Sequence, residues 1–179
     1  MARNNSFIEG NSGVVAAPCV GTEFGDKYSH TTVLSLEGAS AVLPDIPGGA
    51  DLGVGVKLYD FPAGAIIVES ARIYDVAIQQ VDGNITADTP DVGLGTTIAS
   101  GVVAVLSGTA AFENVMTGQT FTDCDGTAED VTIATQLIIN PADSHSLYLN
   151  VADGWAASGD DAAVLSGQVI INWRYMGAA

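Results

Sequence analysis

Leu165-Ser166-Gly167-Gln168-Val169-Ile170-Ile171-Asn172-Trp173-Arg174-Tyr175 decides the fold class. Leu165, Val169, Ile171, Trp173 and Tyr175 fall on one side of an extended chain; Gln168, Ile170, Asn172 and Arg174 fall on the other. Successive side chains of a strand point to opposite faces, so this period of two marks a strand buried on one side, as in an antiparallel sheet. The pattern recurs upstream. Leu34 and Leu36 alternate within Thr31–Leu36, and Val54, Val56 and Leu58 alternate with Gly55, Lys57 and Tyr59. Val131, Ile133, Thr135 and Leu137 alternate with Thr132, Ala134 and Gln136, and Leu147, Leu149 and Val151 with Tyr148 and Asn150.

Between these runs stand breakers. Pro44 to Asp51 reads PDIPGGAD, and Asp82-Gly83-Asn84 ends a long strand from about Ala71 to Val81. In that strand Tyr74, Val76 and Ile78 are expected on one face. Tyr59-Asp60-Phe61-Pro62-Ala63-Gly64 is a turn signal, with Pro62 fixing φ and Gly64 free to take a positive one. It predicts a hairpin pairing 54–60 with the strand from residue 65. Asp91–Ser100 reads as a strand burying Val92, Leu94 and Ile98. Gly101–Leu106 and Ala110–Met116 also fit a helical turn. Residues 1–30 lack periodicity and read as an extended arm or surface layer. The expectation is an all-β chain, an antiparallel β-sandwich of jelly-roll type over 31–179, with an N-terminal arm over 1–30.

Charge narrows the function. Arg3, Lys27, Lys57, Arg72 and Arg174 stand against 21 acidic residues, for a net charge of −16. No two cations are adjacent, which argues against nucleic acid and against an anionic membrane surface. With 47% hydrophobic residues and a mean hydropathy of +0.32, the acidity clothes a core rather than signalling disorder. No apolar run approaches the roughly 20 residues that span a bilayer. The opening MARNNSFIEGNSG has no signal-peptide core, so synthesis in a reducing cytoplasm is expected. Cys19 and Cys124 could form one disulfide; two buried free thiols are the expected state.

Catalytic motifs are missing. Asp143-Ser144-His145 has the members of a triad in a row, but neighbours in sequence cannot converge as a triad must. GxSxG, GxxxxGK and HExxH do not occur. The site-like features are carboxylate clusters: Asp123 and Asp125 with Glu129-Asp130, Asp160 with Asp161, and Asp82 with Asp88. Calcium takes oxygen ligands from such loops, which makes Asp123, Asp125, Asp160 and Asp161 its candidates. None has EF-hand spacing, and Asp and Gly belong in turns for backbone reasons. No cofactor is expected.

Three runs resemble virion proteins of tailed bacteriophages. They are GVKLYDFPAGAIIVESARIYDVAIQQ (55–80), DVGLGTTIASGVVAVLSGTAAFENVMTGQTF (91–121) and LYLNVADGWAASGDDAAVLSGQVIINWRYMG (147–177). The last follows a pattern in which an LNVADxW segment (Leu149–Trp155) leads through an Asp/Gly loop into a strand of form SGxVxIxW (Ser166–Trp173). The resemblance spans roughly two-thirds of the chain and carries no catalytic motif. It implies a non-enzymatic capsid decoration, or cement, protein of β-sandwich or jelly-roll fold. Such a protein is assembled in the bacterial host cytoplasm, sits on the capsid exterior and bridges major capsid protein subunits, often as a homotrimer. A tail or major capsid component is the nearest alternative, although no long helix of the major capsid kind is visible. A carbohydrate-binding or cell-surface β-domain is the alternative from another class, suggested by Trp155, Tyr148 and the Asp-rich loops.

Overall fold

The computed structural model describes residues 12–17, 19–36, 42–46, 53–99, 106, 110–152 and 161–177. Within these lie β1 (Val14–Val15), β2 (Val20–Gly25), β3 (Ser29–Leu36), β4 (Val42–Ile46), β5 (Val54–Asp60) and β6 (Ala65–Gln80). They are followed by β7 (Asp91–Gly95), a 3-10 turn (Ala110–Phe112), β8 (Met116–Thr120), β9 (Glu129–Ile139), β10 (Ser146–Ala152) and β11 (Asp161–Gly177). One sheet has the order β1-β5-β10-β7-β8, the other β2-β3-β11-β6-β9, with β4 also pairing to β11. All pairings are antiparallel. The two sheets pack face to face as a β-sandwich around Leu34, Leu58, Ile73, Leu94, Leu149 and Ile171. The alternating runs in the sequence supply that core, because each strand turns one face inward.

β11 is the organising strand. Its inward residues Leu165, Val169, Ile171, Trp173 and Tyr175 are all buried, as the period of two requires. It pairs with β6 along one edge. Along the other it pairs first with β4 (Asp161↔Ile46) and then with β3 (Gly167↔Leu36 to Arg174↔Ser29).

Four sequence expectations change. Residues 1–30 do not form an arm throughout: from Val14 the chain enters the sandwich, with β1 on β5 and β2 on β3. Residues 1–11 lie outside the described part. The 54–60 and 65-onward strands do not form a hairpin, since β5 and β6 belong to different sheets. Phe61–Gly64 is instead the corner where the chain crosses between sheets. Gly64 has φ +126, and a Cβ there would come within 2.6 Å of the Gly177 carbonyl oxygen. The Phe61 N–H carries the pairing of β5 one step further, donating to the carbonyl of His145, the residue before β10 (2.8 Å).

Tyr74 does not share a face with Val76 and Ile78. A bulge intervenes, with Asp75 at φ 53 and Gly167 at φ 97 facing it from β11. One extra residue flips the side-chain alternation, so Ala71 and Ile73 point inward before it, Val76 and Ile78 after it, and Tyr74 outward. A side chain on Gly167 would strike the Asp75 carbonyl. The strand from Asp91 stops at Gly95, and Ile98 is 38% exposed rather than buried. The chain there leaves the sheet and turns back over its outer surface. The ambiguous stretch at 110–116 resolves into the 3-10 turn and the first residue of β8; 101–105 lies outside the described residues.

Candidate functional site

The carboxylate clusters turn out to serve the backbone. Asp161, 1% exposed, opens β11. Its Oδ1 accepts the N–H groups of Val81 (3.2 Å) and Asp82 (2.8 Å), and its Oδ2 that of Asn84 (3.0 Å). Burial pushes this carboxyl up, but the backbone donors of Asp82, Asn84 and Val81 outweigh it and hold the group below the usual carboxylate range. Asp123 and Asp125 act within their own loop. Asp123 Oδ1 accepts from the Asp125 N–H (3.2 Å), and Asp125 Oδ1 from the Thr127 N–H (3.2 Å) and hydroxyl (2.9 Å). At Asp123, slight desolvation raises the carboxyl, and hydrogen bonding with Asp125 and Thr127 outweighs it, leaving it below the usual range. Among the described residues no three His, Cys, Asp or Glu side chains gather to hold a metal ion. Asp160 and Trp155 lie outside those residues.

The Asp143-Ser144-His145 run also diverges. Asp143 Oδ2 accepts from the Asn140 N–H (2.8 Å) and side-chain amide (2.9 Å), and Ser144 donates to the Thr96 carbonyl (2.9 Å). The His145 ring nitrogens face the carbonyls of Asp143 (2.9 Å) and Gly64 (2.8 Å). The three residues therefore pin a turn onto the sheet-crossing corner and present no nucleophile to a base.

The densest polar group is one that the sequence reading passes over. Glu23 on β2 and His30 on β3 point inward, their side chains 6% and 0% exposed, with Glu23 Oε1 2.8 Å from His30 Nδ1. Tyr59 donates to Glu23 Oε2 (2.9 Å) and accepts from the Gly13 N–H (2.8 Å). The His30 ring stacks on Trp173 at 3.9 Å, and Trp173 donates to the Thr32 hydroxyl (2.9 Å). Phe61 meets both Tyr59 and Trp173 edge to face. Burial, and then the Glu23 carboxylate, push the Tyr59 hydroxyl up. Buried between the sheets, the group clamps β2 and β3 to the core. Its signal in the sequence was His30 two residues before Thr32, in phase with Leu34 and Leu36.

Cys19 and Cys124 are buried free thiols. Burial pushes Cys19 up to about 11. Burial, then Asp88 and Asp123, push Cys124 up to about 12. Neither is a reactive thiolate at neutral pH.

The outer faces of the two sheets are where the molecule meets its surroundings, and they differ. On the five-stranded sheet the outward positions include Gly55, Gly93, Gly95 and Gly118, and Ile98, Leu106, Ala111, Phe112 and Glu113, from between β7 and β8, lie on them. A Cβ at Gly95 would run into the backbone of Phe112, and one at Gly118 into Leu106. Asn150 fixes this cover. Its Oδ1 accepts from the Ala99 N–H (2.7 Å), and its Nδ2 donates to the carbonyls of Thr97 (2.9 Å) and Phe112 (2.7 Å). Ala99, Leu106, Phe112 and Ala152 form a second small core there.

No described segment lies over the outer face of the six-stranded sheet. Its outward rows run across the strands as Val20-Ser35-Gln168-Tyr74, Thr22-Val33-Ile170-Arg72-Thr132, Phe24-Thr31-Asn172-Ser70 and Ser29-Arg174-Ile67-Ile138. Two of the chain's five cations, Arg72 and Arg174, stand on these rows, and the exposed carboxylates Glu69, Asp75 and Asp130 stand beside them. Glu69, at the adjoining bulge, is held by Arg174 (2.8 Å). Arg72 lies over the Tyr74 ring at 4.7 Å. Side chains of unequal size leave two open hollows: about 480 Å³ beside Ser29, Thr31, Glu69, Ser70 and Asn172, and about 310 Å³ beside Ser35, Asp75, Ser166 and Gln168.

Neither the protein-family models nor the curated proteins yield a match to this chain. No helix among the described residues is long and apolar enough to cross a membrane.

Proposed function

We propose that the chain is a non-enzymatic structural protein of a phage capsid, a decoration or cement protein that lies on the outer head surface and bridges major capsid protein subunits. The observation that carries this reading is the strand order. The quartets β3-β11-β6-β9 and β5-β10-β7-β8 face each other, and the chain alternates between them in the manner of two interleaved Greek keys. That order supports reading the sandwich as an eight-stranded jelly roll, a scaffold of viral capsid and lectin domains. The three phage-like runs coincide with its structural parts: the sheet-crossing corner with β6, the cover segment, and β10 with β11. The net charge of −16 favours an outward position over contact with packaged DNA.

Mass spectrometry of purified virions, followed by cryo-electron microscopy of the heads, tests the proposal. Density for the sandwich on the outer capsid surface is the expected result, and absence of the chain from mature particles sinks it. Glycan binding lost in Trp155→Ala, together with absence from heads, would support the carbohydrate-binding alternative.

A further inference from the structure

We propose that the outer face of the six-stranded sheet is the surface on which a second copy of this chain docks, sheet against sheet. Three observations carry it, and none depends on the virion reading. The first is charge. A chain of net charge −16 repels its own copies through any surface that carries its carboxylates. Asp82, Asp88, Asp123 and Asp125 gather in the turns at one end, where Cys124 N–H donates to the Thr86 carbonyl (3.1 Å). The face sets Arg72 and Arg174 against the exposed carboxylates Glu69, Asp75 and Asp130, a small share of the chain's negative charge, so two copies meeting there repel less than they would through those turns.

The second observation is apolar content. Val20, Phe24, Tyr74 and Ile138, four of the nine large apolar side chains left exposed among the described residues, stand on this one face. Val33 and Ile170 lie half-buried between them. On the opposite face Ala99, Leu106 and Phe112 pack as a cover. On the rows, Ser35, Gln168, Thr31, Asn172 and the two arginines stand between the four exposed side chains.

The third is area and relief. Five strands at about 4.8 Å spacing and some eight residues at about 3.4 Å rise give a face of roughly 650 Å². Two copies bury about 1,300 Å² in all, within the range of specific protein interfaces. The face also has relief: Phe24 and Tyr74 project beside hollows lined by Ser29, Glu69, Ser70, Ser35, Asp75 and Gln168. A surface that meets itself closes with twofold symmetry. The expected assembly is therefore a dimer, unlike the threefold grouping that the phage resemblance implies.

Sedimentation velocity of the full chain over a concentration series reads the outcome. The wild type is expected to pass from monomer to dimer. Tyr74→Asp and Ile138→Asp should each weaken the dimer about tenfold or more. Tyr74→Arg should weaken it too, because the loss comes from desolvating a charge and not from added negative charge. Ile98→Asp, on the covered face, should leave it unchanged. Ile138→Ser removes apolar surface without a charge and replaces any Asp variant whose circular dichroism departs from wild type. A wild type that stays monomeric overturns the proposal, as does a trimer, or a dimer indifferent to the face variants. Wild-type monomers that bind capsids and lose that binding in Tyr74→Asp overturn it as well, while leaving the virion reading intact.

Discussion

The two outer faces are made by strands of the same kind and have opposite fates. The five-stranded sheet offers glycines and one buried amide outward, and the chain folds back onto it. The six-stranded sheet offers Val33, Ile170, Thr31, Gln168 and two arginines outward, and no described part of the chain lies on it. A bare backbone strip invites a close-packed cover, because a segment can approach until its own backbone touches the glycines. A face already clothed in β-branched and polar side chains holds such a segment away. Burial of a sheet's second face is thus decided residue by residue, by what stands at alternate positions.

The sharpest way to break the contrast is Asn150→Ala. It leaves the Ala99 N–H and the carbonyls of Thr97 and Phe112 without the partner that fixes the cover. A loss of about 3 kcal/mol is expected from three such bonds, read by urea unfolding, with faster hydrogen exchange at Thr97 and Ala99. Next comes Gly95→Ala, which drives a methyl group into the Phe112 backbone. Overpacking of this sort costs about 2 kcal/mol, and an unchanged midpoint would mean the cover lies further from the sheet than described.

A smaller effect separates amide from carboxylate anchoring. Asp161 ties the 81–84 turn much as Asn150 ties the cover, but its hold depends on ionisation. Its folded carboxyl lies below the unfolded value of about 3.9, so its stabilisation is fully present above that pH and is lost as pH falls through the lower folded value. Asp161→Asn should lower stability by about 1.5 kcal/mol at neutral pH. The gap to wild type should close in acid, whereas the Asn150→Ala gap should persist at every pH. The smallest effect belongs to the bare face: Ser35→Thr should stay within about 0.5 kcal/mol of wild type in the monomer. A larger loss there would indicate that something already covers that face.

Period-two alternation made the sandwich legible, because β3, β10 and β11 each bury one face and say so in their spacing. The bulge at Asp75 was not legible. It depends on Gly167, almost a hundred positions away in sequence but across the ladder in space, and one extra residue silently reverses a face. The sheet-crossing corner was visible as a turn at Pro62 and Gly64, yet nothing local distinguishes a turn that closes a hairpin from one that changes sheets. Glu23 and His30 escaped notice because each looks like a surface residue until its partner is beside it. Of the Asp clusters, Asp123, Asp125 and Asp161 accept backbone N–H groups. The hydrogen bonds of Asp125 to Thr127 and of Asp161 to 81–84 supply the backbone reason for their spacing.

One consequence of the strand order concerns time. β11 comprises the last described residues of the chain, 161–177, and it stands in the middle of its sheet, between β3 and β6. A ribosome delivers both flanking strands long before it delivers the one that joins them. Until then two ladders' worth of edges wait for a partner, and pairings of such long sequence separation form slowly. Completion of the sheet therefore waits on β11, and until that strand emerges the sheet has no centre.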